Sequence, residues 1–138
     1  MSRAIKEKGI SMKDISEFNK KLRSIKRFTF NFGNAFGGIK KFAIFFDDEL
    51  VIKSNRGKSI EFTPNRDEII KELELFCFSD WQSKYNKNAK PILENAWTIE
   101  LLFENDKLEF VGLDDYPKNW YMVEDFVKKY AGFDEIRE

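Results

Sequence analysis

The first hydrophobic residues of the chain recur with the period of an α-helix. Spacings of three, four and three residues separate Ile15, Phe18, Leu22 and Ile25. This spacing places all four on one face of a helix, and Ser11 is suited to cap its first turn. The pattern predicts an amphipathic helix that follows a polar, loose N-terminal arm of residues 1–10.

The hydrophobic period then changes to two. Phe28, Phe30 and Phe32 alternate with polar residues, so three rings lie on one face of a predicted strand. Three further apolar runs, separated by turn-forming sequences, occupy residues 42–46, 50–52 and 60–62. The pattern therefore predicts a four-stranded antiparallel meander over residues 27–62.

A second helical pattern follows the meander. Thr63 is suited to cap this helix and Pro64 to its first turn. Its predicted buried face comprises Ile69, Ile70, Leu73, Phe76 and Cys77. Residues 79–95 lack a regular period, so they are the best candidate for a functional loop.

The remaining sequence predicts a hairpin and a closing helix. Two alternating runs, residues 97–101 and 108–111, flank a turn at Asn105-Asp106. The last helix has a core stripe of Val123, Phe126, Val127 and Tyr130, and Gly132 is placed to end it.

These elements give the order α-ββββ-α-ββ-α. The turns between strands are too short for crossovers, so the predicted fold class is α+β: a mainly antiparallel sheet of about six strands with three helices on one face. The chain length suits one domain. We therefore expect a single α+β domain over residues 11–138.

The amino-acid composition limits the kinds of catalytic and metal-binding site that the chain can form. The chain has no His and only one Cys, Cys77, which removes the commonest general base, metal ligand and nucleophile partner. Cys77 is predicted to be an inert, packed thiol. Carboxylates, Lys and Tyr remain for acid–base chemistry, so catalysis stays open, although the composition favours a non-enzymatic role. We expect no metal and no cofactor.

Cysteine content and hydropathy bear on location. A lone Cys forms no intramolecular disulfide, and neither a signal peptide nor an apolar run long enough for a membrane helix is evident. We therefore expect a cytoplasmic protein with no membrane partner.

Charge is balanced overall but unevenly distributed. Residues 1–41 contain eleven Lys and Arg against three Asp and Glu, a net charge of +8, whereas residues 42–138 contain thirteen against twenty-one, a net charge of −8. Seven basic residues form the candidate surface for one alternative function, nucleic-acid binding through phosphate contacts. They are Lys20, Lys21, Arg23, Lys26, Arg27, Lys40 and Lys41.

Motifs for phosphates and metal ions are incomplete. The run Arg56-Gly-Lys-Ser59 lacks the upstream glycine of a phosphate-binding loop. The acidic groups Asp47-Asp48-Glu49 and Asp114-Asp115 lack calcium-loop spacing and are interpreted as solvated turn residues.

Aromatic residues make the second half of the chain distinctive. The motifs are Trp81-x-x-x-Tyr85, Trp97-Thr-Ile-Glu-Leu101 and Gly112-Leu-Asp-Asp-Tyr-Pro-Lys-Asn-Trp120. An architectural interpretation makes Trp97 a plug of the sheet and Trp120 a staple for the last helix.

These motifs resemble a group of small, largely uncharacterised bacterial proteins that are common in low-GC Gram-positives. The resemblance covers about residues 73–130 and departs at Asn95-Ala96, where the group often has Asp-Gly. It implies an α+β fold and a bacterial origin, and it assigns no site.

The leading functional hypothesis is a protein-binding module, of the immunity or inhibitor type, from a bacterium or a mobile element. Its candidate surface comprises Phe36, Trp81, Tyr85, Asp114, Asp115, Tyr116 and Asn119. The alternative from another class is a small-ligand-binding protein or His-free enzyme. It would use Asp114, Asp115 and Tyr116 with a lysine such as Lys118, and would need these groups to converge in a pocket.

Overall fold

In the part of the chain that the structure describes, one six-stranded sheet carries three α-helices on one of its faces. The computed structural model describes residues 12–34, 38–55, 57–86 and 95–136. The helices are α1 (Met12–Leu22), α2 (Arg66–Leu75) and α3 (Trp120–Ala131), and a 3₁₀ helix (Phe78–Asp80) follows α2. The predicted arm of residues 1–10, Ser11 and Phe36 lie outside the described residues.

The sheet has the strand order β3-β2-β1-β5-β6-β4. Its strands are β1 (Arg27–Asn34), β2 (Gly38–Phe46), β3 (Leu50–Ser54), β4 (Lys84–Asn86), β5 (Ala96–Leu102) and β6 (Lys107–Leu113). Neighbouring strands are antiparallel except β4, which is parallel to β6. The predicted α+β class, with three helices and a mainly antiparallel sheet of about six strands, is confirmed.

The core lies between the helices and one face of the sheet. Phe28, Phe30 and Phe32 are all buried on that face, as their alternation predicted. In the central row of the sheet, Phe30 lies between Phe42 of β2 and Ile99 of β5. The opposite face presents half-buried and exposed side chains.

The predicted fourth strand of the meander is wrong. Residues 60–62 lie beside the end of α3 instead of pairing in the sheet. The backbone N–H of Lys58 donates to the carbonyl of Gly132 at 2.8 Å, and the Phe62 ring lies 5.7 Å from that of Tyr130. The sixth strand is β4, within the segment whose sequence predicted an irregular loop.

Two helix ends differ from the sequence pattern, and a third matches it. Asn65, not Thr63, caps α2, because its side chain accepts a hydrogen bond from the backbone N–H of Glu68 at 3.0 Å. Cys77 lies beyond the end of α2, is exposed and has a left-handed backbone with φ of 53°, so the prediction of a packed thiol is wrong. Gly132 ends α3 with φ of 76°, as predicted.

Candidate functional site

A cleft of about 540 Å³ brings together most of the predicted partner-binding residues. Its lining comes from the end of α2, the 3₁₀ helix, β4 and the loop between β6 and α3. The predicted residues in this lining are Trp81, Tyr85, Asp115, Tyr116 and Asn119, with Lys118 of the alternative hypothesis. We call this feature the aromatic cleft.

The aromatic cleft is positioned by an unusual contact within the sheet. Gly112 lies between Trp97 of β5 and Tyr85 of β4, and a Cβ atom at Gly112 would lie 2.0 Å from the Trp97 Nε1 atom. Glycine therefore lets the buried Trp97 indole lie across β6. There the indole N–H donates to the carbonyl of Asp115 at 2.9 Å, which fixes the loop after β6.

The architectural interpretation of two tryptophans is confirmed. Trp97 is 1% exposed and Trp120 is 4% exposed. Their rings lie 4.6 Å apart, so the plug of the sheet and the start of α3 are packed directly together.

One backbone carbonyl joins two walls of the cleft. The carbonyl of Phe76 accepts hydrogen bonds from Trp81 Nε1 at 3.0 Å and from Asn119 Nδ2 at 2.8 Å. Asn119 is therefore engaged in this contact, and its side chain makes no capping bond to α3. The Trp81 ring packs on those of Phe78, at 4.8 Å, and Phe110, at 5.2 Å, which leaves it half-buried.

The Tyr85 hydroxyl interacts with a backbone N–H and with two carboxylates. It accepts a hydrogen bond from the backbone N–H of Gln82 at 2.9 Å. Burial raises the pKa of Tyr85, and the negative charges of Asp80 and Asp115 raise it further, against the opposing effect of the Gln82 hydrogen bond. Both carboxylates therefore act on the same hydroxyl.

Asp114 and Asp115 have separate roles. Asp115 lines the cleft, and its Oδ1 atom accepts from the backbone N–H of Tyr116 at 3.0 Å. Asp114 is outside the cleft lining: its Oδ1 atom accepts from the N–H of Asn95 at 2.9 Å, and its Oδ2 atom is buried without a hydrogen-bond partner. The interpretation of Asp114 as a solvated turn residue is therefore wrong.

A groove between α2 and α3, lined by four apolar and three charged residues, adjoins the aromatic cleft. Its volume is about 220 Å³, and Phe76 lines both features. Leu75 borders this groove with 62% of its surface exposed, beside Met122. The groove and the cleft therefore adjoin one another at Phe76.

The seven basic residues of the nucleic-acid hypothesis do not share one face. Lys40 pairs with buried Phe32 and Lys41 with Asn31, so their side chains lie on opposite faces of the sheet. Lys40 Nζ donates to the carbonyl of Ile136 at 3.1 Å.

Three of these basic residues are matched by acidic partners. Arg27 lies 3.6 Å from Glu100, Arg23 lies 4.0 Å from Glu74, and Lys21 forms an ion pair with Asp106. Lys20 and Lys26 are exposed. The positive charge of the N-terminal region is therefore partly neutralised in the fold.

Outside the loop of residues 114–119, sequence reasoning missed four residues of the aromatic cleft: Phe76, Cys77, Asp80 and Gln82. Cys77 continued the apolar pattern of α2, and it is not a residue type that commonly marks a left-handed helix end. Asp80 and Gln82 flank Trp81, so the position of that predicted residue is the signal that could have indicated them.

No known protein family, curated protein sequence or solved structure matches this chain. Within the described ranges, no three Cys, Asp or Glu side chains are grouped closely enough to hold a metal ion. The described helices are also too short or too polar to cross a membrane.

Proposed function

We propose that this protein is a non-enzymatic, cytoplasmic binding module that recognises another protein through the aromatic cleft and the adjoining groove. The observation that carries this proposal is the convergence of Trp81, Tyr85 and Tyr116 in one open, half-buried cleft. Exposed Trp and Tyr supply most of the binding energy at many protein interfaces. An immunity or inhibitor protein would be one form of such a module.

The hydrogen bonds of the cleft support binding more than catalysis. Trp81 and Asn119 both donate to the Phe76 carbonyl, Gln82 donates to Tyr85, and Asp115 accepts from Tyr116. These groups hold the walls of the cleft to one another. They therefore preorganise a surface, which lowers the cost of binding.

The adjoining groove supports a macromolecular partner. Leu75 is largely exposed beside Phe76, which also lines the cleft. A small molecule in the cleft would leave Leu75 uncovered, whereas a protein segment lying across both features would bury it.

A second candidate function is binding of a small molecule. The cleft volume of about 540 Å³ lies in the range of small-molecule sites. Asp115, Tyr116 and Lys118 line the cleft together. Asp114, which this alternative also requires, lies outside the cleft, so the expected convergence is partial.

Cys77 provides the test, because it is the only cysteine of the chain, is exposed and lines the cleft. Lysate of the source organism is separated by ultrafiltration into a macromolecular fraction and a small-molecule fraction. The rate at which a thiol reagent modifies Cys77 is then measured in the presence of each fraction. We expect the macromolecular fraction, after nuclease treatment, to slow the modification. Protection by the small-molecule fraction would support the second candidate instead.

A matched control places the thiol elsewhere. The Cys77→Ser/Ser59→Cys variant carries its only cysteine at an exposed position in the segment beside the end of α3. Equal slowing of both thiols by the macromolecular fraction would indicate scavenging of the reagent and would contradict the proposed site.

A further inference from the structure

Two carboxylates reach the aromatic cleft from different elements. Asp80 ends the 3₁₀ helix, and Asp115 lies in the loop between β6 and α3. Both act on the Tyr85 hydroxyl, so their negative charges meet in one volume. Within the described residues, neither forms an ion pair.

Acidic residues outnumber basic residues in the lining of the cleft and the groove. Lys118 is the one cationic residue among the described residues that line the cleft, against Asp80 and Asp115. The adjoining groove adds Glu72 and Asp125 but only Lys129. The cleft and groove thus contain four carboxylates and two ammonium groups, which gives a net charge of −2.

The rings of the cleft complement a cation rather than an anion. The Trp81 indole N–H and the Asn119 side-chain amide both donate to the Phe76 carbonyl, so these two donors are directed into the wall of the cleft. The negative faces of aromatic rings attract cations, and nearby carboxylates strengthen that attraction. The carboxylates of Asp80 and Asp115, together with the ring faces, therefore favour a cation.

We propose that the aromatic cleft receives an arginine side chain from a basic segment of the partner protein, with a neighbouring apolar residue of that segment on Leu75. This inference rests on the proposed function. Arginine fits better than lysine because its planar guanidinium stacks on aromatic rings and binds carboxylates through two parallel hydrogen bonds.

The first test uses a defined probe, the capped peptide Gly-Leu-Arg-Leu-Gly, titrated into ¹⁵N-labelled protein. The three indole N–H signals of Trp81, Trp97 and Trp120 are followed by NMR. We expect the Trp81 signal to shift most. A peptide with uncharged citrulline in place of arginine keeps the shape and loses the charge, and we expect it to bind at least about tenfold more weakly.

A pair of variants isolates the two carboxylates. Asp80→Asn/Asp115→Asn removes two charges from the cleft and keeps an Oδ1 acceptor for Tyr116. Asp47→Asn/Asp48→Asn removes two charges from the exposed turn between β2 and β3. We expect about tenfold weaker peptide binding in the first variant and less than about twofold in the second.

Three results would overturn the inference: no shift of the Trp81 signal, equal binding of the citrulline peptide, or equal weakening by the two double variants. An unchanged Trp120 signal, with a Trp97 signal that remains dispersed, would show that each variant remains folded. If Asp80→Asn/Asp115→Asn keeps the protection of Cys77 by macromolecules, the binding module stands and the arginine inference fails. If the peptide binds but macromolecules give no protection, the proposed function fails instead.

Discussion

The two aromatic regions of this protein are built differently. The phenylalanine cluster (Phe28, Phe42, Phe76 and Phe126) is buried under the helices, and its ring centroids lie 5.3 to 6.5 Å apart. The Trp/Tyr cluster (Trp81, Tyr85, Trp97, Tyr116 and Trp120) lies around the aromatic cleft. The side chains of the first cluster contain no polar atom, whereas each side chain of the second contains one.

That difference separates stability from recognition. Rings without polar atoms are held by burial and packing alone, so they must be covered. The indoles of Trp81 and Trp97 instead bind the carbonyls of Phe76 and Asp115, which holds two loops in place while part of the Trp81 ring stays exposed. Hydrogen bonding thus allows large rings to remain at the surface in fixed positions.

The largest effect on stability is expected from Phe126→Ala. Phe126 is 3% exposed and contacts the rings of Phe28, Phe42 and Phe76. Its truncation leaves a cavity, and we expect a loss of roughly 3–5 kcal/mol in the free energy of unfolding, measured with urea. Trp81→Ala is the comparison: we expect a smaller loss but no peptide binding. Equal losses in the two variants would contradict the separation of the two clusters.

Gly112→Ala is expected to have the next largest effect, because its Cβ atom would lie 2.0 Å from Trp97 Nε1. Displacement of the indole should cost about 1–3 kcal/mol. It should also disturb the bond from Trp97 to Asp115, so we expect both the Trp97 and Trp81 indole signals to move. The double variant Gly112→Ala/Trp97→Phe tests the cause. A smaller ring should make the glycine substitution less costly, and purely additive effects would contradict the proposed contact.

Tyr130 is an exception near the phenylalanine cluster, and Tyr130→Phe tests its polar atom. The hydroxyl donates to the Glu72 carboxylate, so we expect the substitution to cost about 1–2 kcal/mol at neutral pH. Burial raises the pKa of Tyr130, and the hydrogen bond to Glu72 raises it further above the usual 10.0.

The raised pKa of Tyr130 also predicts a pH dependence with a definite sign. Above pH 10.0 the unfolded chain releases this proton while the folded protein retains it. The free energy of unfolding should therefore fall as the pH rises beyond that value. Urea unfolding at increasing pH should show a shallower fall in Tyr130→Phe, and parallel curves for the two proteins would contradict this assignment.

The hydrophobic periodicity predicted the regular helices and strands because burial of one face of an element produces that periodicity. The alternation at Phe28, Phe30 and Phe32 correctly indicated the covered face of β1. The same rule failed at residues 60–62, where the apolar residues pack against the end of α3. A short apolar run indicates burial but does not specify the partner that covers it.

The candidate site was predictable in its residues but not in its arrangement. The sequence indicates Trp81, Tyr85 and Tyr116 as binding residues because Trp and Tyr supply large contact areas at interfaces, and the fold brings them together. The separation of Asp114 from Asp115 was not predictable, since it depends on the left-handed backbone of Asp114, with φ of 53°, and on its contact with Asn95. The sequence around Asp114 and Asp115 does not indicate that the two side chains have different surroundings.

The smallest effect is expected from Asp114→Asn, which tests whether this acid belongs to the site. Asparagine keeps the Oδ1 acceptor for Asn95 and tolerates the left-handed backbone. It also removes a charge from a carboxylate whose Oδ2 atom is buried without a hydrogen bond. We expect the free energy of unfolding to stay the same or to rise by up to about 1 kcal/mol, whereas Asp114→Ala should lower it by about 1–2 kcal/mol. Peptide affinity should not change in Asp114→Asn, because Asp114 does not line the cleft. A loss comparable to that of Asp80→Asn/Asp115→Asn would instead place Asp114 in the binding surface.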